Sequence, residues 1–373
     1  DPAPVMEAFV NLPGVEQVAG RGDTKSSVFL SHGVGRNRVT LSADLRVVED
    51  KQYPFALLYF TGSKEHNIVL RQRAMDRGLR LNEYELASDK KSIACKDEAD
   101  IYQALGLDYI PPELRENTGE IEAAETHTLP NLIEADDIQG VFHNHTNWSD
   151  GKATLEDMVR AARDLGFKYL GIADHSQSLT IANGLSPDRV RKQQEEIDTL
   201  NEKLKDFRIF KGIECDILPD GRMDFDDDLL QTFDYVVASV HSNFNQPEEE
   251  MTRRIVRALS NPHVTMLGHA TGRLLLAREG YKVNLEKVIA AAAEHGKMIE
   301  INSQPDRLDL DWIHCKRAKA LGVKLVINPD AHSMGELGYY RYGVYVARRG
   351  WLEKNDVFNT KSAAEVAKAL KGK

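Results

Sequence analysis

The sequence predicts an α/β protein whose larger part is a seven-unit (β/α) barrel, preceded by a small α+β piece. Two observations predict the barrel. From residue 140 onward, apolar runs of strand length alternate with amphipathic helical patterns, and histidines and carboxylates recur where those runs end. A third observation sets the front apart: residues 5–50 alternate short apolar runs with turn signals and lack that rhythm.

The chain has 373 residues, enough for two domains or for one large barrel with an attachment. Its 42% hydrophobic and 28% charged residues are ordinary for a globular protein. No run approaches the roughly 20 apolar residues of a membrane span, so no membrane partner is expected. The three cysteines, Cys95, Cys215 and Cys315, are scattered and form no Cys-x-x-Cys, so neither a disulfide framework nor a thiolate zinc site is suggested. No secretory signal is visible, and a cytoplasmic location is expected. The chain opens on Asp1 rather than Met, which fits a processed chain or part of a longer one. A net charge of −10 argues against coating nucleic acid by bulk electrostatics. Almost all of the acidic excess lies before residue 140, much of it in residues 113–137, whereas residues 64–96 are locally basic.

In order along the chain, Val5–Val10 reads as a helix, and Ser27–Leu30, Arg38–Leu41 and Asp44–Val48 read as strands. A basic helix is expected from Glu65 to Arg77, stopped by Gly78, and an extended stretch follows at Leu79–Tyr84. Residues 113–139 are acidic, contain Pro130 and read as a linker. The barrel strands are expected at Gly140–Phe142, Tyr169–Ala173, Arg208–Ile213, Tyr235–Val240, Thr265–Leu267, Lys297–Ile301 and Lys324–Ile327. Helices are expected around Leu155–Leu165, Pro187–Lys205, Glu248–Leu259, Leu285–His295 and Trp312–Leu321. No repeat of fixed period is present, so this is one domain and no solenoid.

The strand ends carry His143 and His145, Asp174-His175, Glu214, His241, His269, and Asp330-x-His332, and the loop after the first strand adds Asp150. Two histidines two apart on a strand share a side, and the carboxyl ends of barrel strands converge on one face. Six of the 12 histidines therefore meet there. Excluding Asp174, the expected ligands are His143, His145, Asp150, His175, Glu214, His241, His269, Asp330 and His332. That set exceeds what one ion takes and implies two or three divalent ions. Imidazole with carboxylate suits manganese, zinc or iron. Glu214 is expected to bridge two ions, and Asp174 to orient an imidazole through its free N–H. His263, His295 and His314 are expected to be structural. The acidic clusters at Asp226–Asp228 and at Asp309 and Asp311 are expected to be solvated loops.

The front resembles the end of the palm and the thumb of a family X DNA polymerase. The match rests on Asp44-x-Arg46, Tyr59-Phe-Thr-Gly-Ser63 with Asn67 and Arg71 beyond it, and Leu81-Asn-Glu-Tyr84. The resemblance implies a partial palm at residues 1–49 and a thumb-like segment at 50–112. It implies that Asp44 is a catalytic carboxylate, that Tyr59 and Phe60 line a nucleotide pocket, that Gly62 admits close backbone approach, and that Asn67 and Arg71 touch the nascent base pair. Two further aspartates of that family lie upstream of this chain's start. Two-metal phosphoryl transfer needs carboxylates on both ions, so templated polymerisation by this chain is expected to be absent.

Residues 140–373 resemble the polymerase and histidinol phosphatase (PHP) domain, a distorted barrel of seven (β/α) units with a trinuclear site. The motifs are His143-x-His145, Asp174-His175, Ser239-Val-His241 and Asp330-x-His332, with Glu214 and His269 in place. The resemblance implies manganese-stimulated 3′→5′ exonuclease and 3′-phosphatase action on DNA 3′ ends. Independently of the family, two close ions acidify water from ~15.7 towards ~7 and neutralise phosphoryl oxygens, which suits phosphoester hydrolysis. Glu214, Asp330 and Arg273 are the candidate catalytic residues, and Arg273 and Arg278 the candidate phosphate clamps. Two other readings stay open: a promiscuous phosphodiesterase or phosphotriesterase acting on small phosphate esters, and a structural metal domain supporting a DNA-binding thumb.

Overall fold

The computed structural model describes residues 1–33 and 38–371; residues 34–37 and 372–373, inside the expected palm and barrel ranges, lie outside the described residues. The chain divides into two compact units, Asp1–Leu129 and Pro130–Lys373.

In the first unit, helix α1 (Ala3–Val10) precedes an antiparallel sheet of β1 (Val15–Arg21), β2 (Lys25–His32) and β3 (Val39–Arg46). The two strands expected at 38–48 are one, β3, paired with β2 without a break from Lys25↔Arg46 to His32↔Val39. Strand β1 was not legible because its residues are nearly all exposed and carry no apolar alternation. Helices α2 (Tyr53–Thr61) and α3 (Lys64–Asp76) follow, the latter capped by the Ser63 side chain accepting from the His66 N–H. A small sheet of β4 (Arg80–Leu81), β5 (Leu86–Ala87) and β6 (Ser92–Ile93) and helices α4 (Glu98–Ala104) and α5 (Glu120–Glu125) complete the unit.

The stretch 113–139 folds on both sides of the division at residue 129. Arg115 and Glu120 are fully buried in the first unit, and Ile133 and Ile138 join the core of the second. Its acidic residues have assigned tasks: Glu120 accepts from the backbone N–H groups of Asn117 and Thr118 and sits 2.7 Å from His66 Nδ1.

The second unit is built on seven parallel strands in sequential order: β7 (Gly140–Asn144), β8 (Tyr169–Ile172), β9 (Arg208–Asp216), β10 (Tyr235–Ser239), β11 (Met266–Leu267), β12 (Met298–Asn302) and β13 (Leu325–Asn328). All seven expected strands are present. They are buried almost throughout, hence the continuous apolar runs in the sequence. The connecting helices are α6 (Leu155–Asp164), α7 (Pro187–Lys203), the short α8 (Asp227–Leu230), α9 (Glu248–Leu259), α10 (Leu285–Glu294) and α11 (Trp312–Ala320). Thr154, Asp226, Asn284 and Asp311 cap α6, α8, α10 and α11 by accepting a backbone N–H three residues on. Helices α12 (Tyr340–Arg349) and α13 (Ala363–Lys371) complete the unit.

Two apolar layers hold the barrel. One joins strands to the outer helices. The other fills the interior with Phe142, Tyr169, Phe210, Tyr235, Met266 and Val326, met by Phe358, Val366 and Leu370 from the end of the chain. Tyr235 needs Gly212 beside it, since a Cβ there would stand 2.3 Å from the ring. The seam between β7 and β13 is closed by asparagines: Asn359 donates to Gly140 O at 3.0 Å and Ile327 O at 2.7 Å and accepts from Ile327 N–H, while Asn328 accepts from Phe142 N–H. His145 N–H then donates to Ala331 O at 2.8 Å.

Candidate metal centre

The expected ligands meet at the carboxyl end of the barrel. Four overlapping sets place their ligand atoms within 4.8 Å of one another: His145, Asp150, His175 and His332; His143, His145 and Glu214; His143, His269 and Asp330; and His175, Glu214 and His241. All nine residues are included. Glu214, fully buried at the end of β9, lies at the middle. Its Oε1 is 2.8 Å from His269 Nε2 and 3.2 Å from both His143 Nε2 and His241 Nε2, and its Oε2 is 2.9 Å from His175 Nδ1. Asp330 Oδ1 stands 3.1 Å from His145 Nε2 and 3.6 Å from His143 Nε2.

Regular strand alternation is not what aims the first pair. Strand β7 shifts register against β8 between Val141 and Asn144, and His143 sits in the bulge at φ +56°. His269 (φ +20°) and Asp330 (φ +50°) also have positive φ, so one complete set of three ligands is held in a conformation that side-chain-bearing residues rarely adopt.

Carboxylates behind the imidazoles fix their orientation. Glu300, buried on β12, lies 2.6 Å from His143 Nδ1, and Asp216 lies 2.6 Å from His241 Nδ1. Asp174 does not do this. It accepts from the backbone N–H groups of Thr146 and Ser149, from both hydroxyls and from Gln193, thereby pinning the loop that carries Asp150. Asp309 is likewise buried rather than solvated: its Oδ2 accepts from Thr271 N–H and hydroxyl and from Gly272 N–H, bracing the loop after His269. Asp311 caps α11, and Asp226–Asp228 are exposed as expected. Glu300 and Asp216 left a signal in the sequence: each is a carboxylate inside an otherwise apolar strand run, where a charge needs a partner.

The histidines divide electrically. Burial and the neighbouring imidazoles push His145 down to about 3, and burial with the Arg307 charge pushes His269 down to about 4. Burial also opposes charge on His241 and His332, but Glu214 and Asp216 carry the first up to about 10, and Asp150 and Asp330 carry the second to about 9. For His143, Glu300, Glu214 and Asp330 outweigh burial and raise it well above its ordinary range. Burial resists ionisation of Glu214 and Asp330, yet the surrounding imidazoles hold both well below the usual carboxylate range.

The donor set fits divalent ions. His143 Nε2, His145 Nδ1, His175 Nδ1, His269 Nδ1 and Glu214 Oε2 are buried without a hydrogen-bond partner among the described residues, although most lie within 4 Å of another ligand atom. Buried polar atoms crowded together without hydrogen-bonding one another are what metal ligands leave. The centre is open on one side, where Asp150 and His332 are 33% and 29% exposed. A cleft of this unit, about 990 Å³ and lined by Arg191, Asp224 and Arg257 among others, contains none of the clustered ligands.

Arg273 is not free to clamp a phosphate: its Nε donates to Arg307 O at 2.8 Å and its guanidinium also donates to Leu308 O. Arg278 donates to Gly272 O at 2.7 Å and lies over the Phe244 ring. His263, His295 and His314 stand outside the cluster; His314 pairs with Asp311.

In the first unit, Asp44 on β3 is exposed and 3.1 Å from Lys25 Nζ. Asn67 donates to Tyr59 O at 2.8 Å, Arg71 lies over the Tyr59 ring, and Phe60 is exposed beside Tyr59 with Arg46 over its ring. Gly62 is required by its φ of +72°, not by crowding, since a Cβ there would meet nothing nearer than 3.5 Å.

The nearly closed seven-stranded barrel and its histidine-rich mouth agree with the PHP domain family, whose model matches residues 142–304. More particularly, residues 56–116 match the DNA polymerase beta thumb family, so the chain carries both segments. It is 43% identical over 372 residues to the Bacillus subtilis (strain 168) protein described as "DNA polymerase/3'-5' exonuclease PolX", a match covering 99% of this chain and 64% of that protein. The chain thus spans less than two-thirds of that relative's length. It is also 29% identical over 230 residues to a "probable phosphatase" of Thermoanaerobacter sp. (strain X514), covering 58% of this chain and 89% of that protein. A "probable phosphatase" of Clostridium acetobutylicum is 27% identical over 209 residues, covering 53% and 81%. Among the described residues, no helix is long and apolar enough to cross a membrane.

Proposed function

We propose that the barrel is a metal-dependent phosphoesterase, using two or three divalent ions of manganese, zinc or iron to act as a 3′→5′ exonuclease and 3′-phosphatase at DNA 3′ ends. The observation that carries this reading is the overlap of four ligand sets at the barrel mouth, two of them sharing Glu214. His143, His145, Asp150, His175, Glu214, His241, His269, Asp330 and His332 are the residues that would hold the ions. Ions bound there supply Lewis acidity towards phosphoryl oxygens and water acidified towards neutral pH. The protein's own part is to hold neutral imidazoles and ionised carboxylates in fixed directions, through Glu300 and Asp216, and to keep the inner wall dry while the Asp150 and His332 side stays open. The first unit supports DNA as the substrate, since Tyr59, Phe60 and Arg71 cluster in the thumb-like segment.

The test is product release from a 3′-labelled single-stranded oligonucleotide with manganese, beside the His143→Ala/His145→Ala double variant. Shortening by the wild type and none by the variant supports the proposal; an intact oligonucleotide with the wild type contradicts it. The two relatives described as probable phosphatases, which this chain matches over 89% and 81% of their own length, favour a second reading in which small phosphate esters are the substrates. Hydrolysis of aryl phosphate esters without oligonucleotide shortening would select it.

A further inference from the structure

The loop between β12 and α11 carries an arginine that sequence reasoning did not single out. Arg307 points its Nε towards Asp330 Oδ2, at 3.6 Å, and its side chain is 18% exposed. That oxygen already accepts from Asn302 Nδ2 at 2.9 Å. Arg307 NH1 is buried and has no hydrogen-bond partner among the described residues. A buried guanidinium N–H left unpaired is costly, and an arginine has no acceptor capacity with which to compensate.

The surroundings hold this guanidinium in place. Arg273 donates to the carbonyls of Arg307 and Leu308, Gln304 Nε2 donates to Asp330 O at 2.9 Å, and Asp309 ties the next turn to Thr271 and Gly272. A guanidinium held beside Asp330 with a buried N–H unpaired offers its planar fork to an anion.

Resting on the phosphoesterase reading, we infer that Arg307 grips a non-reacting phosphoryl oxygen of the substrate and of the phosphate product. Arg273 is then a positioning residue that sets the Arg307 loop and does not touch the substrate. A lysine at 307 would keep the charge and lose the fork that a phosphate's oxygens match.

The test uses the metal-loaded full chain and inorganic phosphate as the probe, with metal content and phosphate affinity measured on wild type, Arg307→Gln and Arg307→Lys, and with Arg191→Gln as a surface control. The expected result is unchanged metal content in all four, phosphate affinity lowered by about tenfold or more in R307Q, a smaller loss in R307K, and none in R191Q. Phosphate binding by R307Q equal to wild type overturns the inference. So does metal loss in R307Q matching its loss of phosphate affinity, because Arg307 would then serve only to hold Asp330. Ester hydrolysis by the wild type is measured in parallel. Turnover with an unaltered R307Q sinks this inference alone, whereas a wild type that loads metal and binds phosphate but hydrolyses no ester sinks the phosphoesterase reading.

Discussion

The Glu300 carboxylate lies 2.6 Å from His143 Nδ1, and both side chains are fully buried. The contact fixes the ring so that Nε2 faces Glu214 and Asp330. Replacing Glu300 with Ala frees the ring and removes the carboxylate that makes it more basic. Metal affinity is expected to fall about 10–100-fold. Titration of the metal-free variant with zinc or manganese checks this; an affinity equal to wild type would remove Glu300 from the centre.

Metal uptake should release protons. In the metal-free protein His241 is held at about 10 and His332 at about 9, so both carry a proton at pH 7.5, whereas His145 and His269, at about 3 and 4, do not. A metal ligand must give up that proton, so loading acidifies a weakly buffered solution and affinity rises with pH between about 6 and 9. The metal-free fold responds in the opposite sense: histidines raised above their unfolded value of ~6.5 contribute stability below that value and lose it as pH climbs through 9–10. Calorimetry in buffers of different ionisation enthalpy reads the proton count, and a count of zero at pH 7.5 contradicts the assignment.

Asn359 carries the seam of the barrel. Its amide meets Gly140 O, Ile327 O and Ile327 N–H, and the residue is fully buried. Asn359→Ala leaves these backbone groups unpaired away from water, at an expected cost of about 2–4 kcal/mol. Denaturant unfolding followed through a barrel tryptophan measures it. A loss below half a kcal/mol would show that the seam is closed by other means.

How much of this was legible in the sequence depended on burial. The seven barrel strands stood out because both faces are covered, so Val236, Ile299 and Val326 belong to unbroken apolar runs. The nine clustered side chains stood out because histidine is rare at strand ends. What stayed hidden was long-range pairing. Asp174 and Asp309 look like ligand or solvent carboxylates until the loops they brace are known, and Arg273 and Arg307 cannot be told apart until one is seen donating to the carbonyl of the other. The bulge at His143 has no local turn residue to announce it. The stretch 113–139 looked like a linker because its buried residues, Arg115 and Glu120, are charged and pair only in the folded unit.

The first unit should have its own acid limit. Burial resists ionisation of Glu120, but His66 and the N–H groups of Thr118 and Asn117 hold its pKa below the ordinary value. A depressed carboxylate contributes stability that is fully present above its unfolded value of ~4.5 and is lost as pH falls through the folded value. Glu120→Gln is therefore expected to lower stability at pH 7 and to flatten its fall between pH 5 and 3. An acid limb as steep as wild type would assign that loss to other carboxylates.

The central claim is that one buried carboxylate, Glu214, joins the ligand sets into a single hydrolytic centre. The most direct measurement is metal content per chain by mass spectrometry, together with manganese-dependent release from a 3′-labelled oligonucleotide, on wild type and Glu214→Gln. Two or three ions in the wild type, with more than one ion and nearly all turnover lost in the variant, is the predicted result. Turnover that survives in E214Q, or loss of no ion at all, would contradict it.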